Sequence, residues 1–169
     1  MKKFFIFLTI IFILIPSVPY VNAIIKEIKF NAECINYFEL AADANNVVLA
    51  ERYLTKGIEY LENHGLTSGN TKIFVYRPTN DIGIWYENLK AAQTQTQELA
   101  AKNELTDLEE SNCLMKLRET LLNNEGFVNH PSYIIFYPNA TSWFWQLTFF
   151  WLFYVAAYIT GTFAHEELI

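Results

Sequence analysis

The sequence lacks the residue patterns that most often mark an active site. Its three histidines, His64, His130 and His165, stand far apart, and its two cysteines are not spaced as metal ligands. The six glycines form no phosphate-cradling loop, and no Gly-x-Ser-x-Gly motif occurs. No catalytic residue, metal or cofactor is therefore predicted.

Charged residues are also scarce, at 18% of the chain, against about a quarter in a typical soluble domain. The deficit lies at the two ends, since residues 24–142 carry ten Lys or Arg and sixteen Asp or Glu. This middle portion has the composition of a mildly acidic domain that is large enough to bury a core. It offers no basic cluster, so we expect neither nucleic-acid binding nor adsorption of the domain to anionic lipid headgroups.

The first apolar stretch, residues 1–23, has the organisation of a secretory signal peptide. Lys2 and Lys3 precede a run, 4–15, in which eleven of twelve residues are apolar, and small residues end it at Ala23. An uncleaved anchor is the alternative, because no charged residue follows Lys3 until past the cleavage position. Both alternatives export the domain that follows.

The second apolar stretch, residues 143–163, contains 21 residues and no charge. As a helix it would be ~31 Å long, enough to cross a hydrocarbon core of ~30 Å. Its nine Leu, Ile, Val and Phe residues favour insertion by roughly 4 kcal/mol, and Trp143 and Trp145 suit the interface. We expect a single-pass transmembrane helix with a short tail, 164–169, rather than a buried core helix.

Four amphipathic helices are predicted in the middle portion, each with apolar residues at three- and four-residue intervals. Gly57 lies on the apolar stripe of the second predicted helix and indicates a close approach of another helix there. His64-Gly65 marks the end of this second helix. Thr106 and Glu109 have the spacing of a capping box. No helix can bury its stripe alone, so we expect a mainly α, four-helix bundle-like domain. The predicted ranges are about 26–42, 46–63, 81–101 and from 106 onward.

Two short runs do not fit a helical bundle. Residues 72–76 and 132–137 are β-branched and aromatic and are bounded by turn residues. They predict a small two-stranded β ribbon near the second apolar stretch.

The two cysteines, Cys34 and Cys113, allow one intramolecular pairing, and an exported domain meets an oxidising compartment. Both lie on or beside apolar helix faces. A disulfide is therefore predicted, with two buried free thiols as the alternative.

Tyr76, Arg77, Asp81, Trp85 and Tyr86 gather around a loop-to-helix junction. Arg, Trp and Tyr dominate interface hot spots, which makes this junction a candidate interaction site. The alternative is that Trp85 belongs to the core and that Arg77 and Asp81 form a local salt bridge.

The second apolar stretch also contains small residues at helical spacing: Ala157, Gly161 and Ala164. Such a face lets helix backbones approach closely in a membrane and predicts lateral association. The alternative is a lone anchor in which the small residues have no packing role.

Taken together, these features predict a membrane-anchored, extracytoplasmic interaction, scaffold or accessory-subunit protein of the cell envelope. Its expected partners are the lipid bilayer and another membrane or envelope protein, or a second copy of itself. One alternative is a membrane-active, exclusion- or immunity-type factor that acts through its aromatic helix. Another is a small envelope enzyme with its site near Arg77 and Trp85.

Overall fold

The computed structural model describes residues 21–102 and 104–166, so most of the expected signal peptide lies outside the described residues. The protein is mainly helical (71%), with five helices and no β-strand in the described ranges. This confirms the mainly α class. Within the last helix, the side chains of residues 156, 157 and 159–166 are not described.

The first helix is already formed at residue 21, the first described residue, which lies ahead of its predicted start. The other three bundle helices lie within two residues of their expected positions. The first also contains a π-helical turn, Asn31–Ile35, in which the Asn36 amide donates to the Asn31 carbonyl. Sequence periodicity alone does not reveal this turn. The helices are α1 (21–42), α2 (Val47–Asn63), α3 (Ile82–Ala100), α4 (Asp107–Leu121) and α5 (Ala140–Glu166).

Helices α1 to α4 pack as a bundle in which successive helices are antiparallel. Phe30, early in the described part of α1, contacts Tyr60 near the end of α2 at a ring-centroid distance of 6.0 Å. Later in α1, Tyr37 stacks on Tyr53 at 6.5 Å. Helix α4 packs against both α1 and α3 and closes the ring. The bundle-like fold is thus confirmed for the described residues.

The core of the bundle is mainly aliphatic, with the ring of Phe38 at its centre. Phe38 is completely buried, and its ring packs between Gly57 of α2 and Trp85 of α3. A Cβ placed on Gly57 would lie 2.5 Å from Phe38 Cε1, which bears out the close approach expected at this glycine. The other large buried side chains include Leu54, Ile58, Leu61, Ile82, Leu89, Leu117, Leu121 and Ile134.

Local capping interactions explain where α4 begins and where α2 ends. The Thr106 hydroxyl accepts from the Glu109 amide, and the Glu109 carboxylate accepts from the Thr106 amide, which completes the predicted capping box. At the end of α2, Gly65 has φ +68° and the Leu66 amide donates to the Leu61 carbonyl at 2.8 Å. This left-handed glycine terminates α2 where the sequence predicts.

The predicted β ribbon is wrong. Residues 72–76 are irregular, and residues 134–136 of the second run form a 3₁₀ turn, Ile134–Phe136. Tyr133 adopts a left-handed conformation (φ 63°), which breaks an extended strand, and Ile134 is buried against the helices. Burial of Ile134 in the bundle therefore outweighs the local strand preference of this run.

Candidate functional site

The five candidate residues at the junction before α3 make separate sets of contacts. The Tyr76 hydroxyl donates to Asp81 Oδ2 at 2.9 Å, while Asp81 Oδ1 accepts from the Ile84 amide at 3.0 Å. Asp81 is thus the N-cap of α3. The Ile84 amide and the Tyr76 hydroxyl hold the pKa of Asp81 below its ordinary value. These two candidate residues form a local capping arrangement.

The remaining three residues point in different directions. Trp85 is half-buried and meets the Phe38 ring edge-to-face, with centroids 5.9 Å apart. Arg77 is exposed and forms no salt bridge with any described residue, so the alternative Arg77–Asp81 pair is absent there. Tyr86 turns towards α2. The structure therefore brings together Tyr76 and Asp81 but not all five as one surface.

Tyr86 begins a polar seam between α2 and α3. Its hydroxyl donates to Glu62 Oε1 at 2.6 Å, and Lys90 approaches the same oxygen at 3.5 Å. Further along, Gln93 is buried and donates to the Thr55 hydroxyl at 2.9 Å. These contacts pair residues along the two antiparallel helices.

We expect Tyr86→Phe to destabilise the protein by well under about 1 kcal/mol at pH 7, because the hydrogen bond is largely exposed. That bond lowers the pKa of Glu62 and raises the pKa of Tyr86 to about 12. A lowered carboxyl pKa contributes stability above the ordinary value of about 4.5 that is lost on acidification. A raised tyrosine pKa contributes stability below about 10 that is lost as the pH rises through about 12.

The difference between wild type and Tyr86→Phe should therefore shrink at pH 3, as measured by urea unfolding of the full chain in mild detergent at both pH values. Tyr53→Phe is the control, because the Tyr53 hydroxyl forms no hydrogen bond with the described residues. If the difference in unfolding free energy between the wild type and Tyr86→Phe is unchanged at pH 3, the ionised Glu62 carboxylate is not its source.

The two cysteines do not form the predicted disulfide in this structure; both are buried free thiols. Cys34 of α1 faces α2, with its Sγ 3.7 Å from the Gly57 carbonyl oxygen. Cys113 of α4 lies instead beside Thr96 of α3. The sulfurs thus occupy two different helix contacts, which single-helix periodicity does not distinguish. Burial raises the pKa of both thiols.

Chain denatured without reductant should accordingly carry two alkylatable thiols, counted by mass spectrometry after iodoacetamide treatment. In the native chain both should react slowly, because they are buried and their raised pKa values keep them protonated. Recovery of no alkylatable thiol would show instead that Cys34 and Cys113 form the predicted disulfide.

Helix α5 leaves the bundle at the end where α1 enters it. The Phe74 ring meets Phe144 of α5 at a centroid distance of 4.9 Å, and the Thr141 hydroxyl donates to the Lys72 carbonyl at 3.1 Å. His130 reaches the ring of Phe30 at 5.7 Å. Three segments therefore share this end, which we call the basal end: 21–30, 64–81 and 122–139.

The basal end exposes apolar side chains that a soluble surface usually avoids in such density. Phe74 and Val75 are each 67% exposed at the loop tip beside α5. Phe127 and Tyr133 are exposed on the second basal loop. The same character continues along α5, whose exposed large apolar residues include Trp145, Phe149, Trp151, Leu152, Val155 and Tyr158.

Charge is distributed unevenly between the two ends of the bundle. The far end, segments 39–51 and 98–110, carries eight carboxylates and one lysine, Lys102. The basal end carries four Lys or Arg and three carboxylates. Most of the acidic excess of the domain therefore lies opposite α5.

A cavity of about 270 Å³ opens at the basal end. Lys26 and Lys29 of α1 line one wall, and Tyr60 with His64 of α2 lines another. His64 stacks on Tyr60 with ring centroids 3.9 Å apart. The turn that precedes α5 closes the cavity with Ile134. This cavity combines cationic groups with an apolar surface, and its lining residues are far apart in the sequence.

Within the described ranges, no group of three His, Cys, Asp or Glu side chains is placed to hold a metal ion. Among the helices described, none combines the length and mean hydropathy of a membrane-spanning segment. No protein-family model matches the chain, and no curated protein or solved structure is significantly similar to it.

Proposed function

We propose that the protein is a membrane-anchored helical interaction module of the cell envelope, with α5 as its single-pass anchor and the bundle outside the cytoplasm. The observation that carries the proposal is the basal end, where α5 leaves the bundle beside the exposed Phe74 and Val75. A bilayer on this side would cover the apolar loop tips and the aromatic surface of α5 together. The far end of the bundle, which carries most of the acidic excess, would then face away from the membrane.

The composition of α5 supports insertion despite its modest mean hydropathy. Five of the 21 residues in 143–163 are Trp or Tyr, which hydropathy indices score as polar. Their rings are favoured at the membrane interface. The helix has 27 residues and so extends ~40 Å, more than a hydrocarbon core of ~30 Å requires. Residues 1–23 supply the export signal in this proposal.

Replacing residues 143–163 by a neutral poly-Leu helix tests whether the function depends on the bundle or on the sequence of the anchor. An interaction module should remain in the membrane and copurify in mild detergent with the partners that bind its bundle, because the surface of the bundle is unchanged. A copurified partner should also bind the purified chain again. Loss of function with retained membrane attachment would favour the membrane-active alternative, for which the exposed aromatic side chains of α5 are the supporting observation.

Lateral association of α5 is a further part of the proposal. Ala157, Gly161 and Ala164 lie in the final turns of the helix, but their side chains are outside the described set. Gly161→Leu and Ala157→Leu should each weaken association in a membrane dimerisation assay, because bulk separates closely packed backbones. Tyr158→Leu, at an exposed position, is the control. Unchanged association in both small-residue variants would leave α5 as an anchor only.

A further inference from the structure

We infer that the basal cavity binds the headgroup of an anionic phospholipid. This inference rests on the membrane attachment proposed above and adds a specific lipid site to it. It concerns one local cavity and not the surface as a whole, whose acidic character argues against general adsorption to anionic headgroups.

The charge of the cavity favours an anion. Lys26 and Lys29 lie three residues apart on α1, a spacing that places two side chains on one face of a helix. Both are exposed, and neither forms a salt bridge with a described residue. The described residues that line the cavity include no carboxylate, although Glu27 and Glu33 lie on the same helix. Two ammonium groups that have no ion-pair partner among the described residues can therefore converge on one phosphate.

The apolar part of the cavity favours an amphiphile over a free anion. Phe30, Leu66 and Ile134 are buried and contribute hydrocarbon surface to the same cavity as the two lysines. The glycerol and first methylene groups of a lipid would contact these side chains. A hydrated inorganic phosphate gains nothing from such a surface, since its own groups are all polar.

The position and size of the cavity suit a headgroup. Tyr137 lines it three residues before α5 begins at Ala140, so the cavity lies at the depth where the proposed anchor enters the bilayer. Its volume of about 270 Å³ is just below the ~300 Å³ at the small end of ligand clefts. It therefore accommodates a headgroup while the acyl chains remain in the bilayer.

Native mass spectrometry of the full chain in detergent tests this site, with phosphatidylglycerol and phosphatidylcholine of identical acyl chains as probes. The wild type should retain phosphatidylglycerol about tenfold better than phosphatidylcholine. Lys26→Ala with Lys29→Ala should abolish this preference, and Lys26→Arg with Lys29→Arg should preserve it. Lys56→Ala with Lys116→Ala removes the same charge at positions outside the cavity lining and should also preserve it.

Equal retention of both lipids by the wild type, or an unchanged preference after Lys26→Ala with Lys29→Ala, would overturn the lipid site. Alkaline extraction of membranes that contain the same variants separates this failure from that of the proposed function. If the wild type resists extraction but shows no headgroup preference, only the site is wrong. If alkali releases the wild type from the membrane, the anchor itself is wrong.

Discussion

Gly57→Ala should destabilise the bundle by about 1 kcal/mol, although alanine is the better helix former by ~1 kcal/mol. The added methyl would lie 2.5–2.9 Å from three atoms of the Phe38 ring. That ring is completely buried and meets Trp85 of α3, so it has little room to withdraw. Overpacking of a core by one methyl costs roughly 1–3 kcal/mol, enough to exceed the gain in helix propensity.

Thermal unfolding of the full chain in mild detergent measures this effect. Phe38→Leu provides the matched test, because a shorter side chain leaves space for the added methyl. Phe38→Leu should cost less in the Gly57→Ala background than in the wild type, which gives a double-mutant coupling of more than about 0.5 kcal/mol. If Gly57→Ala instead stabilises the protein, as propensity alone predicts, the close approach of α1 and α2 is wrong.

Leu152→Lys should release a substantial part of the protein from the membrane. Leu152 lies near the middle of the proposed span and is exposed in the structure. A lysine at the centre of a membrane helix costs roughly 3 kcal/mol, which is comparable to the ~4 kcal/mol by which the apolar residues of the span favour insertion. A penalty of that size shifts the partition between membrane and water about 100-fold.

The measurement is the fraction of protein that remains in the membrane pellet after extraction at alkaline pH. Leu152→Ala is the control, because it removes side-chain volume without adding charge and should leave the protein in the pellet. If Leu152→Lys is retained as well as the control, α5 is not held by the hydrocarbon core. The lysine should leave the fold of the bundle unchanged, since Leu152 lies outside its core.

The helix ends were the most predictable part of the fold, because the interactions that set them are local. The Thr106–Glu109 capping box and the left-handed Gly65 involve residues within a few positions of each other. The close approach at Gly57 was also readable, since a glycine that costs helix propensity needs a packing reason. Each of these signals lies within a single helix or at its end.

Features that depend on contacts between distant segments were predicted poorly. The run around Ile134 has strand-like composition, but burial against the helices decides its conformation. Cys34 and Cys113 both lie on apolar faces, yet they face different neighbours. The basal cavity joins Lys26 to Ile134 from opposite parts of the chain. Periodicity along one helix indicates which face is buried but not which helix covers it.

The central claim is that the bundle lies outside the cytoplasm, with its acidic far end directed away from the membrane. Labelling of Leu108→Cys in intact cells by a maleimide that does not cross the cytoplasmic membrane tests it most directly. Leu108 is 71% exposed at the far end of the bundle, whereas the native cysteines are buried, so the wild type serves as the unlabelled control. We predict rapid labelling of Leu108→Cys in intact cells, in protein recovered with the membranes. Labelling that appears only after the cytoplasmic side is opened would contradict this account.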